Sequence, residues 1–168
     1  KLFSLHNASA IDASLLQEWP LEALGLWPMP LMSLECLRGK KLRCLRLLRP
    51  RLRPEDLSII SEMPLDILGL PESDITDLGF LRNMPVKTLE LLATPIADIS
   101  VLGTLPLDYL SLGGCDKLQD LSTLTDCKDL RTLILPKQCE DVAFLKKLPN
   151  LQKLGYACAI ESGAGEAA

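Results

Sequence analysis

Aromatic side chains make up only 4% of the 168 residues, so any core this chain builds must be aliphatic. Histidine occurs once, at His6, which leaves almost no scope for imidazole as a general base or metal ligand. The chain has no Ser/His/Asp set, Gly-rich phosphate loop or kinase catalytic-loop signature; "LGLPESD" and "LSLGGCD" are isolated turns leaving strands. No enzyme and no cofactor are therefore expected. The six cysteines (Cys36, Cys44, Cys115, Cys127, Cys139 and Cys158) contain no C-x-x-C pair, so they read as small thiols filling core positions rather than zinc ligands. Cys115 and Cys139 fall at nearly the same place in successive segments and are the pair that could approach one another, as a disulfide only in an exported domain. No run of 18 apolar residues is present, so no membrane insertion is expected, and the N-terminus lacks the basic-then-apolar layout of a signal peptide. A net charge of −4 and a pI ≈ 5.1 argue against nucleic acid or an anionic membrane as the partner of the whole surface.

What the chain has in abundance is leucine, and it is periodic. The frame L-x-x-L-x-L accommodates "LEALGL" from Leu21, "LRCLRL" from Leu42, "LDILGL" from Leu65, "VKTLEL" from Val86, "LDYLSL" from Leu107, "LRTLIL" from Leu130 and "LQKLGY" from Leu151. The starts are 21, 23, 21, 21, 23 and 21 residues apart. A step of 21 back from Leu21 puts Phe3 and Leu5 in the same frame, so about eight short parallel strands are expected, the first incomplete. One such unit cannot bury its leucine face alone; stacked units share a core.

Between the strands, "DASLL", "DLSII", "DLGFL", "DISVL", "DLSTL" and "DVAFL" begin at Asp12, Asp56, Asp77, Asp98, Asp120 and Asp141. A carboxylate before an apolar turn accepts backbone N–H groups, a cap worth about 1 kcal/mol. Pro20, Pro64, Pro85, Pro106 and Pro149 then end each turn before the next strand.

These seven registered motifs resemble the leucine-rich repeat family over residues 1–156. The resemblance implies an α/β-type solenoid, a right-handed arc with short parallel strands on the concave face and turns or 3₁₀ segments on the convex face. The stretch "TPIADISVLGTLP" is similar to short bacterial repeats, including arrays attached to bacterial serine/threonine protein kinases. Ser73, Thr94 and Cys115 stand where the family usually has Asn. Residues 157–168 drop the pattern and read as a flexible tail or the start of a linker. Lys1 in place of an initiator Met, and ends without a capping element, suggest an excerpt from a longer array.

Function in such a solenoid is expected on the outward x positions of the strands. The first x column reads Lys1, Glu22, Arg43, Asp66, Lys87, Asp108, Arg131 and Gln152, alternating in sign over seven strands. At a strand spacing of about 4.8 Å it reads as a self-neutralising ion ladder, roughly 0.2–1 kcal/mol per pair, ahead of a recognition stripe. Trp27, Leu48, Ile67, Leu92 and Tyr109 either form an apolar patch for a protein partner or tuck under the loops that follow them. The run "RGKKLRCLRLLRPRLR", residues 38–53, carries eight basic residues and no acid. It is either a site for an acidic or phosphorylated segment, with Arg46, Arg49, Arg51 and Arg53 toward one edge, or a solvated band balanced by Glu22, Glu55, Asp56 and Asp66. The expectation is a non-catalytic scaffold binding another protein through Trp27, Arg46, Leu48, Arg49, Ile67, Leu92 and Tyr109. The alternative is a regulatory or sensing appendage of a multidomain bacterial enzyme such as a serine/threonine protein kinase.

Overall fold

Each L-x-x-L-x-L motif becomes one short strand, because its apolar residues alternate toward one side and a turn signal follows within a few residues. In a computed structural model, which describes residues 2–6, 16, 18–27 and 33–157, the strands are β1 (Leu2–His6), β2 (Ala23–Trp27), β3 (Cys44–Leu47), β4 (Ile67–Gly69), β5 (Thr88–Glu90), β6 (Tyr109–Ser111), β7 (Thr132–Pro136) and β8 (Lys153–Ala157). They form one parallel sheet in chain order, each strand beside the one before it in sequence. The register matches the sequence frame: Leu2, Ala23, Cys44, Ile67, Thr88, Tyr109, Thr132 and Lys153 are successive partners. Parallel neighbours joined by crossovers wind right-handedly, which makes the stack a right-handed solenoid. Lys1, the Asp12 cap, Cys158 and residues 158–168 of the expected tail lie outside the described residues; β8 itself runs through Ala157.

The core is three stacked columns of aliphatic side chains. From β2 to β7 no member of these columns is more than 6% exposed. At about 1.5–3 kcal/mol per buried Leu, this shared interior is the main stabilising term. At β8 the same positions carry Leu154 and Tyr156, which are 42% and 49% exposed.

The return segments are 3₁₀ turns at Glu35–Leu37, Gly79–Leu81, Ser100–Thr104, Ser122–Asp126 and Ala143–Lys147. The repeat that begins with β3 departs from these five, carrying an α-helix, α1 (Pro54–Ser61). Its strand start lies 23 residues before the next, with two additional residues ahead of Asp56, and Pro54 opens the helix at a position where its missing N–H costs nothing. The repeat aspartates act as expected in kind but by two geometries. Asp77, Asp98, Asp120 and Asp141 each accept the N–H of the residue two positions on, at 2.7–2.9 Å. Asp56 instead sits inside α1 at its third position, and its carboxylate accepts N–H groups of Arg53 (3.1 Å) and of Leu34 in the preceding repeat (2.7 Å).

At the positions usually held by Asn, Thr94 Oγ1 donates to the Leu91 carbonyl at 2.8 Å and Cys115 Sγ donates to the same oxygen at 3.0 Å. Ser73 Oγ is buried with no partner among the described residues. Cys115 and Cys139 are free thiols. The strand register explains why: with Tyr109 opposite Thr132, the residue stacking over Cys115 is Gln138, whose Nε2 donates to the Cys115 carbonyl at 3.2 Å.

Candidate partner-binding face

Side chains at the x positions point away from the leucine core, onto the sheet face that the return segments leave uncovered. There the arginines of the basic run meet acids one repeat or two repeats away. In the first x column Arg43 Nη2 lies 2.6 Å from Asp66 Oδ2, and farther along Arg131 Nε lies 3.8 Å from Asp108 Oδ1. Both of these rungs of the ladder are closed, whereas Lys87 has no acid within ion-pair distance among the described residues. After the strands, Arg49 Nε pairs with Glu72 Oε2 at 2.6 Å. On the return side Arg53 pairs with Asp56 at 3.0 Å, and Arg38 with Glu35 at 2.6 Å and Glu62 at 3.6 Å. The basic run is therefore largely balanced, by Glu35, Glu62, Glu72 and Glu90 as well as by Asp56 and Asp66. Arg51 is exposed and forms no ion pair among the described residues.

The third x column, Gly25, Arg46, Gly69, Glu90, Ser111, Ile134 and Gly155, holds the longest reach. Arg46 Nε and Nη2 donate to the two carboxylate oxygens of Glu90, both at 2.9 Å, across the intervening strand β4. Glycine makes this possible: a Cβ on Gly69 would lie 2.8 Å from Glu90 Oε2 and 3.0 Å from Arg46 Cγ. The remaining guanidinium nitrogen, Nη1, donates to Cys44 Sγ at 3.7 Å. Arg46 is thus held at half-buried depth rather than lying as a solvent-facing cation at the edge of the face.

Beside this bridge lies a concave groove of ≈ 360 Å³, lined by Trp27, Arg46, Leu47, Leu48, Pro71 and Glu90. Trp27 is 43% exposed. The structure so brings Trp27, Arg46 and Leu48 into one depression. Ile67 and Tyr109 are half-buried in the second x column and do not line it. Leu92 leans over Gly113 of the next repeat, its Cδ1 2.9 Å from where a Cβ there would sit. Arg49 turns to Glu72. Leu47, Pro71 and Glu90 join the site. Glu90 had a sequence signal, since an Arg and a Glu two repeats apart flank a glycine in one column.

No group of three His, Cys, Asp or Glu side chains suited to a metal ion occurs among the described residues. No helix there is long and apolar enough to cross a membrane. Burial pushes the Cys127 thiol up to about 11, so it has no thiolate character at neutral pH.

One parallel strand per repeat, three leucine columns and 3₁₀ returns define a leucine-rich-repeat solenoid. A solved structure with the same architecture is an internalin from Listeria monocytogenes, with a TM-score of 0.66 at 21% sequence identity. The match covers 88% of this chain and 44% of the internalin chain, so this chain spans less than half of that protein's length. No protein-family model and no curated protein match the sequence.

Proposed function

We propose that this chain is a non-catalytic scaffold that binds another protein on the N-terminal half of its concave face. The observation that carries this reading is the groove between Trp27, Leu48 and Pro71, an open apolar depression walled by a large exposed aromatic. Protein interfaces are anchored by such residues: an aromatic that can be desolvated in a preformed cavity contributes far more than the contacts around it. The likeness to an internalin supports the scaffold fold on which such a face is built.

The test is selection of binders from a random peptide display library, followed by affinity measurement on variants. Trp27→Ala should weaken the selected peptides by about 2 kcal/mol or more, roughly thirtyfold. Lys153→Ala, on exposed β8 far from the groove, should leave them unchanged. Binders indifferent to Trp27 and Leu48 but sensitive to Lys153 or to the return turns would place the binding face elsewhere.

A further inference from the structure

We infer that Glu90 masks Arg46 from anions, so that the groove selects an uncharged apolar side chain from its partner and rejects carboxylates and phosphates. This rests on the groove being the binding site.

Arg46 and Glu90 are the two charged residues of the lining, and they cancel. An arginine that recognises a carboxylate or phosphate does so through a pair of parallel N–H donors. In Arg46 the Nε–Nη2 pair is already engaged by both Glu90 oxygens, and Nη1 faces Cys44. An acidic ligand would have to displace Glu90, lose the 2.9 Å contacts and then sit against a displaced carboxylate. No other cation lines the groove, and the arginines on either side of Arg46 in the basic run are engaged as well, Arg43 with Asp66 and Arg49 with Glu72. The rest of the lining is Trp27, Leu47, Leu48 and Pro71, which an aliphatic or aromatic side chain complements and a charged one does not. Gly69 completes the device: a Cβ there would press on Glu90 Oε2 at 2.8 Å and Arg46 Cγ at 3.0 Å, so a side chain would displace the bridge from its flat path across β4.

The probes are N-acetyl-leucinamide, N-acetyl-aspartamide and inorganic phosphate, titrated against the full chain and followed at the Trp27 indole N–H by NMR. Trp19→Phe assigns that signal, since the chain has two tryptophans. In the parent protein the leucine amide should shift the indole and the two anions should not at equal concentration. Glu90→Gln keeps the shape but removes the competing charge, and should raise affinity for the aspartate amide and phosphate by about tenfold, as expected when a bidentate charged contact becomes available. The double variant Arg46→Met/Glu90→Gln should lose that gain while still binding the leucine amide, which a general loosening of the face would not produce. Binding of the anions to the parent protein as tightly as the leucine amide, or no gain in Glu90→Gln while leucine-amide binding persists, overturns the masking and leaves the groove reading standing. Silence of the indole toward every probe in both proteins overturns the groove reading and the inference with it.

Discussion

Four residues one place after the post-strand position share a conformation that the identities of three of them do not suggest. Arg49, Glu72, Ala93 and Gly114 all have φ between 53° and 67°, the left-handed region, and each donates its N–H to a carbonyl of a later repeat at 2.7–3.0 Å. The repeat demands the conformation because the chain must leave the strand sharply while keeping that hydrogen bond. Only Gly114 takes it without steric cost; for the others it costs roughly 1–2 kcal/mol. Arg49 and Glu72 recover part of that through their ion pair, whereas Ala93 makes no side-chain hydrogen bond or ion pair. Ala93→Gly should therefore stabilise the protein by about 0.5 kcal/mol, the relief of strain less the additional freedom of glycine in the unfolded chain. Urea unfolding with an unchanged slope and a higher midpoint is the expected result; a lower midpoint would show that Ala93 is not strained. A second test at this scale is Cys127, 1% exposed and raised from the ordinary thiol value of 9.0 to about 11. The unfolded thiol ionises first, so its contribution is intact below pH 9.0 and is lost as the pH rises toward 11. The fall in stability across that window should be smaller in Cys127→Ala than in the parent protein, as measured by denaturant midpoints at successive pH values.

Among the described return elements, α1 is tied to the preceding repeat by a buried carboxylate at its N-terminal end. Asp56, 2% exposed, is pushed up by burial, but hydrogen bonds from the Arg53 side chain and from the N–H groups of Leu34 and Arg53 outweigh this and hold its carboxyl below the usual range. Asp56→Ala would leave the Leu34 N–H buried without its 2.7 Å acceptor and remove the N-terminal closure of the helix. A loss of about 2–3 kcal/mol is expected, read as a lower unfolding midpoint. Because the folded carboxyl is the stronger acid, its contribution is complete above the unfolded value of 3.8 and is lost as pH falls below it. The parent protein should lose stability in that acid range more steeply than Asp56→Asn does. The strand positions and register were legible in the leucine frame because one face of every strand is buried, and a slip by one residue would expose the whole column. The capping aspartates were legible for the same local reason. The left-handed column was not, since Arg, Glu and Ala carry no turn signal. The Arg46–Glu90 bridge, whose partners lie 44 residues apart, left a fainter trace in the glycine that separates them in the third x column, because the pair meets across Gly69 rather than between adjacent strands.

The molecule as a whole is a one-dimensional stack, and its charges make the stack order-dependent. Each repeat touches its neighbours through one strand pair and one return pair, so removal of a complete unit should shorten the solenoid without destroying it. Deletion of residues 86–106 joins Pro85 to Leu107 and preserves the leucine frame. The charged columns do not survive as well. Lys87 is removed from between Asp66 and Asp108, bringing two carboxylates side by side, and Glu90 is removed from Arg46. Like charges directly adjacent on neighbouring strands are unfavourable by roughly 0.2–1 kcal/mol. The shortened chain should therefore unfold cooperatively at a lower temperature than the parent, and the paired reversal Asp108→Lys/Arg131→Asp introduced into it should recover part of the difference by restoring Arg43, Asp66, a base and an acid in sequence. The same paired reversal in the full-length chain should destabilise, because it puts Lys87 directly beside a new lysine. This reversal of sign separates an ion ladder from a mere effect of net charge, which the paired reversal leaves unaltered in both backgrounds. Low ionic strength should widen both differences and high salt should shrink them, since the first x column is exposed to solvent at Arg43, Lys87, Asp108 and Arg131. Deletion of ten residues instead of twenty-one, 86–95, breaks the leucine frame and should abolish the cooperative transition by circular dichroism. If that shorter deletion melts as cooperatively as the full-repeat deletion, the repeat is not the unit of stability.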